Sequence, residues 1–198
     1  HQVFELEPLT LLSALSAVTK NIGLVSTAST TYNEPYHLAR KFASLDHLSG
    51  GRAGWNIVTS WAPQAGLNYG LEQDVDHGDR YKLAEEFVEA VDALWRSFPA
   101  NAALDDRESG RYLDPQLIHP ADYRGRHYKT VGPLNVPAGP QGRPVYVQAG
   151  QSDTGRAFAA RWAEAIFTAH LTKDSARTFY SDVKGRAAAY GRRPEDIV

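Results

Sequence analysis

An α/β fold carried by a parallel sheet is predicted, on three observations. Short apolar segments rich in strand-forming residues alternate with longer stretches whose apolar positions recur at helical spacing. The clearest strand-type segment, Gly51-Arg-Ala-Gly-Trp-Asn-Ile-Val-Thr-Ser60, runs out in hydrogen-bonding residues, Asn56, Thr59 and Ser60. In a parallel α/β barrel that strand end is where ligands sit. The chain's 198 residues, 42% hydrophobic and 22% charged, suffice for one sizeable core. Four strands are legible, too few to close an eight-stranded barrel, so the specific expectation is an incomplete barrel.

Taken in order, residues 10–19 read as a helix with Leu11, Leu12, Leu15 and Val18 on one face, leading to an apolar strand over 22–27. Asn33 has the chemistry of a cap and Pro35 suits a first turn, so a helix is expected from there to Leu48, closed by Gly50 and Gly51. The 51–60 strand follows, then a polar loop over 61–78. A strong helix is predicted from Asp79 to Phe98, with Leu83, Phe87, Val88, Val91, Leu94 and Trp95 as its apolar stripe. Residues 99–143 hold most of the prolines and read as an insertion or lid with short strands, one around 127–131. A strand over 144–150, a helix over 157–163, a strand over 165–168 and a helix over 174–190 complete the pattern. The whole of 1–198 is expected to be one domain, or the central part of one.

Composition removes several function classes. A net charge of -2 leaves no basic footprint for nucleic acid or an anionic membrane, and no apolar run approaches the ~20 residues of a membrane span. With no cysteine there are no disulfides and no thiolate metal sites, which fits a reducing cytoplasm. The chain opens at His1-Gln2-Val3 and holds no Met, which suggests a segment of a longer protein. A small molecule or another protein is the expected partner.

Three places carry candidate chemistry. In Gln148-Ala-Gly-Gln-Ser152-Asp-Thr-Gly155-Arg156 a strand gives way to a helix, whose free N–H groups and positive dipole end attract an anion. Ser152 could donate a hydroxyl and Arg156 a charge; the plainer alternative is an ordinary helix start capped by Ser152 or Asp153. In His77-Gly-Asp-Arg-Tyr81, His77 and Tyr81 could reach over a strand edge, or Asp79 could simply cap the helix with Tyr81 packed beside it. Thr27 ends a strand, where it is either a site residue or merely β-favouring. None of the seven histidines has helical zinc-site spacing, and there is no Gly-x-Ser-x-Gly elbow, P-loop or G-x-G-x-x-G. Asp105-Asp-Arg-Glu108 reads as a solvated charge run.

A set of longer motifs adds to this: Leu6-Glu-Pro-Leu-Thr10, Ser26-Thr-Ala-Ser-Thr-Thr-Tyr-Asn-Glu-Pro-Tyr36, Ala43-Ser-Leu-Asp-His-Leu-Ser-Gly-Gly-Arg52, Gly54-Trp-Asn-Ile-Val-Thr-Ser60, Asp79-Arg-Tyr81, Gly132-Pro-Leu-Asn-Val136 and Pro140-Gln-Gly-Arg-Pro144. In this order they resemble the bacterial-luciferase superfamily of flavin-dependent monooxygenases, within it the branch of nitrilotriacetate monooxygenase component A and dibenzothiophene-sulfone monooxygenase. The resemblance implies a (β/α)₈ TIM barrel of the luciferase-like type, here lacking the first two and last two strands. It implies reduced FMN as cosubstrate, with O₂ and a small organic substrate oxidised through a flavin hydroperoxide. It also implies a separate NAD(P)H-dependent flavin reductase and a homodimer or higher homo-oligomer. Thr27, Asn56, His77, Tyr81 and Ser152 match the cofactor-binding positions, and His77 is the candidate catalytic residue. Trp55, Tyr36 and the 99–143 insertion are candidate walls or lid of the cavity. A non-catalytic flavin-binding relative or a deazaflavin-dependent oxidoreductase are the alternatives.

Overall fold

The computed structural model describes residues 5–60, 65–72 and 75–198, apart from the side chain of His77. The first helix, α1 (Pro8–Val18), begins earlier than its periodicity predicts because Glu7 caps it, its carboxylate accepting from the N–H groups of Leu9 and Thr10. Strand β1 (Leu24–Ser29) lies further along the chain than expected. Helix α2 (Pro35–Ser49) starts at Pro35, and Glu34 stands at its cap position without a side-chain bond. Asn33 is not the cap: its amide donates to the Ser29 carbonyl at 2.9 Å. Gly50 ends α2 in the left-handed region, at a φ of 65° that suits glycine.

Strand β2 (Ala53–Val58) and helix α3 (His77–Ser97) come next. Asp76, not Asp79, caps α3 by accepting from Gly78 N–H at 2.8 Å, and Asp79 instead pairs with Lys82. Residues 99–143 form two antiparallel hairpins, β3 (Ala103–Asp106) with β4 (Arg111–Leu113) and β5 (Tyr123–Arg124) with β6 (Lys129–Thr130). The strand expected around 127–131 is thus a two-residue ribbon. Strand β7 (Val145–Gln148), helix α4 (Asp153–Trp162), strand β8 (Ala165–Ile166) and helix α5 (Lys173–Ala187) complete the chain. Among the described residues no helix is long and apolar enough to cross a membrane.

The four strands β1-β2-β7-β8 make one wholly parallel sheet, as the alternation of strands and helices predicts. Its register aligns Thr27 with Asn56 and Asn56 with Val147. Successive side chains take opposite faces. One face, bearing Leu24, Ala53, Trp55, Ile57 and Tyr146, is sealed under α2 and α3; the other carries Thr27, Asn56 and the half-exposed Val25.

Trp55 therefore corrects an expectation. Its indole is fully buried against Phe42, Phe87 and Tyr146, with ring centroids 5.7–6.0 Å apart, and donates to the Ala28 carbonyl at 3.0 Å. It is core, not the wall of a ligand cavity. Tyr36 likewise packs against this core with Arg40 5.9 Å from its ring centre.

The Ala43–Arg52 motif is a structural latch. Asp46 is fully buried and accepts from Ala53 N–H and from both the backbone and side-chain amides of Gln141, joining α2, β2 and the end of the 99–143 segment. Arg52 spreads its guanidinium over the carbonyls of Ser49, Ile22, Thr19 and Ser16, which fixes the end of α1 to the start of β2.

Candidate active site

The open face of the sheet brings Thr27 and Asn56 together. The Asn56 amide nitrogen donates to the Thr27 hydroxyl at 2.9 Å, and Asn56 Oδ1 is buried with no hydrogen-bond partner among the described residues. An acceptor left in that state costs stability unless a donor meets it. Above the strand ends lies a hollow of about 730 Å³, lined by Thr27, Ser29, Tyr32, Val58, Ser60 and Tyr69. Tyr32 and Tyr69 stack face to face over it at 4.6 Å.

Val58 and Ser60 also line a second hollow of about 390 Å³, which holds Arg80, Tyr81, Gly150 and Ser152. The two hollows meet at Ser60, whose backbone sits in the left-handed region at φ 57°. Such a conformation in a residue with a side chain is strained and is maintained by its surroundings. Here the Ser60 hydroxyl donates to Ser29 Oγ at 2.7 Å and its carbonyl accepts from Arg80.

Tyr81, near the start of α3, is buried, its ring edge-on to Phe158 at 5.7 Å. Its hydroxyl reaches the turn between β7 and α4. A Cβ on Gly155 would stand 2.8 Å from that oxygen and one on Gly150 would stand 3.0 Å from it, so the close approach requires glycine. Ser152 caps α4, its Oγ accepting from Gly155 N–H at 3.0 Å, which is the plain helix-start reading; the hydroxyl hydrogen meets no acceptor among the described residues. Gln148 is buried and holds the turn by accepting from Gly150 N–H at 2.6 Å.

Arg156 does not add its charge to this turn. It is ion-paired with Asp182 at 2.7 Å and with Asp153 at 3.4 Å. Asp153 points to Arg186 as well, and that hydrogen bond holds its carboxyl below the usual range. The cation at the second hollow is Arg80, whose Nε is buried without a partner among the described residues. His77 is the first residue of α3, and its side chain lies outside the described residues.

The structure thus bonds Asn56 to Thr27 and brings Tyr81 to the turn of Ser152; Thr27 lines the larger hollow, Tyr81 and Ser152 line the smaller, and the two share Val58 and Ser60. Sequence reasoning places Ser60 at the strand end and Gln148 in the anion-site segment, but it gives neither the left-handed turn of Ser60 nor the hold of Gln148 on Gly150, and it gives Arg80 no role. Arg80 lay inside the Asp79-Arg-Tyr81 motif, which was its only signal.

An acceptor without a partner among the described residues beside a hydroxyl, and a glycine turn at a helix start, lie at the carboxyl edge of a parallel sheet, the edge where α/β proteins place their ligands. The chain belongs to the luciferase-like monooxygenase family, whose model matches residues 1–198. It is 55% identical over 192 residues to nitrilotriacetate monooxygenase component A of Aminobacter aminovorans, an alignment covering 97% of this chain and 42% of that protein. The crystal structure of the long-chain alkane monooxygenase LadA superposes with a TM-score of 0.94 at 40% identity, over 99% of this chain and 45% of LadA. That of riboflavin lyase RcaE, solved with modified FMN and riboflavin, gives 0.93 at 39%, over 98% of this chain and 44% of RcaE. The chain spans less than half the length of each of these three relatives, and its four parallel strands with their helices are a partial luciferase-like domain.

Proposed function

We propose that this chain supplies the flavin-holding part of a monooxygenase that uses reduced FMN and O₂ to oxidise a small organic substrate. The observation that carries the reading is Asn56 Oδ1, buried without a partner among the described residues beside Thr27, whose hollow shares Val58 and Ser60 with that of the glycine turn where Tyr81 and Ser152 meet. These residues fit the group. A flavin ring offers an N–H donor for the Asn56 acceptor and carbonyl oxygens for hydroxyl donors. A ribityl phosphate takes hydroxyl donors and the positive end of a helix.

In this reading Asn56 and Thr27 bind and orient the ring, while Tyr81, Ser152 and the N–H groups at the start of α4 hold the phosphate. His77, at the first turn of α3, serves as the candidate donor to the reacting end of the cofactor. When bound, the reduced flavin supplies the two electrons that let one atom of O₂ enter the substrate and the other leave as water. The protein's remaining task is to keep water away, and the stacked Tyr32 and Tyr69 at the larger hollow support that role, whereas no described residue of the 99–143 segment lines either hollow. The relative's designation as component A supports a two-component system in which a separate NAD(P)H-dependent reductase delivers the flavin, and the modified FMN of RcaE supports FMN as that flavin. A homodimer in the cytoplasm completes the reading.

Anaerobic titration with reduced FMN, followed by admission of O₂ and substrate, tests it. Saturable binding that weakens in Asn56→Ala and Tyr81→Phe, with oxygen-dependent product, is the expected result. No binding of reduced FMN sinks the proposal.

A further inference from the structure

We infer that the substrate carries carboxylate groups and is drawn in over a basic lip formed by His37, Arg40 and Lys41 on α2; this rests on the monooxygenase reading above. Three neighbouring hollows of about 520, 600 and 730 Å³ run from the groove between α1 and α2 to the heads of β1 and β2. Lys41 lines all three, and the last is the hollow of Thr27. A molecule held by Lys41 therefore extends toward the place where Thr27 and Asn56 stand.

The lip is arranged to receive an anion. His37, Arg40 and Lys41 have no salt bridge among the described residues, although the chain as a whole carries a net charge of -2. Arg40 lines the first hollow, and its Nε is buried with no acceptor among the described residues. A guanidinium presents parallel N–H donors that match the two oxygens of a carboxylate, and an ammonium beside it adds a mobile charge.

The acids nearby are otherwise engaged or set apart. Glu7 faces the same groove and is close enough to feel Lys41, but its carboxylate is occupied by Leu9 N–H, Thr10 N–H and the Thr10 hydroxyl. Burial works against the charge of Glu7, and these bonds still hold its carboxyl below the ordinary range. Glu34 lines the middle hollow beside His37 and Lys41, and neither the first hollow, where Arg40 stands, nor the last. The donors of the hydroxyl groups on this lip are spent locally, Ser13 on the Leu9 carbonyl and Ser44 on that of Arg40, so the cations are what remains for a ligand.

The test uses citrate as a polycarboxylate probe and its neutral triethyl ester as control, titrated calorimetrically into the 198-residue chain in phosphate-free buffer. Citrate is expected to bind, to weaken about tenfold in Arg40→Gln and in Lys41→Gln, and to weaken as salt rises; the ester should not compete. Lys41 is exposed, so its variant folds even if Arg40→Gln does not, and Lys20→Gln should leave citrate binding unchanged. No citrate binding, or equal binding by wild type and both variants, overturns the inference. A parallel anaerobic titration with reduced FMN separates the two claims. FMN binding without citrate binding sinks the carboxylate inference alone, whereas citrate binding without FMN binding sinks the monooxygenase reading on which it rests.

Discussion

The Asn56 amide donates to the Thr27 hydroxyl across adjacent parallel strands at 2.9 Å, and this bond fixes which way the Asn56 carbonyl oxygen points. Asn56→Ala removes the orphaned acceptor and should lower affinity for reduced FMN about tenfold, the scale of one hydrogen bond to a polar ring. Thermal stability should change little, because the lost group was unpartnered on one side. Thr27→Val leaves the acceptor but frees the amide, and should weaken binding less. Anaerobic flavin titration of both variants, with melting curves, checks the order.

Gly155→Ala separates helix chemistry from site chemistry. In an ordinary helix the change gains up to about 1 kcal/mol. Here the new methyl would stand 2.8 Å from the Tyr81 hydroxyl and 3.1 Å from Ser152 Oγ. The variant should fold with near-wild-type circular dichroism and lose flavin affinity more than tenfold. A Gly155→Ala protein that binds reduced FMN normally would remove Tyr81 from the phosphate site.

Trp55→Ala should destabilise the fold by about 3–5 kcal/mol, since a fully buried indole leaves a large void between the sheet and α2. Trp55→Phe should cost less and retain flavin binding, because the ring lies on the face away from the hollows. Urea unfolding monitored by circular dichroism gives both numbers.

Asp46→Ala strips acceptors from Ala53 N–H and from two Gln141 donors inside a buried corner. A loss of about 2–4 kcal/mol is expected. Proteolysis should then strike the 99–143 segment first, which mass spectrometry of limited digests would report.

Alkaline unfolding should report on Tyr128. Burial first, then the charges of Glu34 and Glu86, push its phenol up from 10.0 to about 12. The folded chain therefore keeps this proton where the unfolded chain loses it. Its contribution to stability is complete below pH 10 and is lost as the pH rises from 10 toward 12. Tyr128→Phe should flatten, without abolishing, the fall of stability in that window, since Tyr123 and Tyr146 are raised by burial as well. Urea midpoints between pH 9 and 11.5 measure the slopes.

The sequence made the order of elements legible because periodicity is local. Leu83 through Trp95 fall on one side of α3 wherever that helix packs, and Ser152 was a cap candidate on its residue type alone. Alternation along Gly54-Trp55-Asn56 likewise separates the tryptophan from the asparagine, but it does not say which face is sealed. That is decided by α2 and α3, and it moved Trp55 from cavity wall to core. Partners far along the chain were equally silent. Nothing near Arg156 announces Asp182, and nothing near Tyr81 announces that Gly150 and Gly155 must lack a Cβ. The motif resemblance supplied what local rules lacked, by nominating Thr27, Asn56, Tyr81 and Ser152 together.

The 99–143 excursion is pinned at both feet. Ser97 accepts from Leu134 N–H through its hydroxyl and from His119 N–H through its carbonyl, Phe98 accepts from Ala138 N–H, and Asp46 grips Gln141. The exposed β3–β4 hairpin hangs outside these rivets. Its tip is thus an exchangeable attachment: cassettes of other lengths can be spliced between Ala103 and Leu113 while the strand that follows still sets off from the same point and in the same direction.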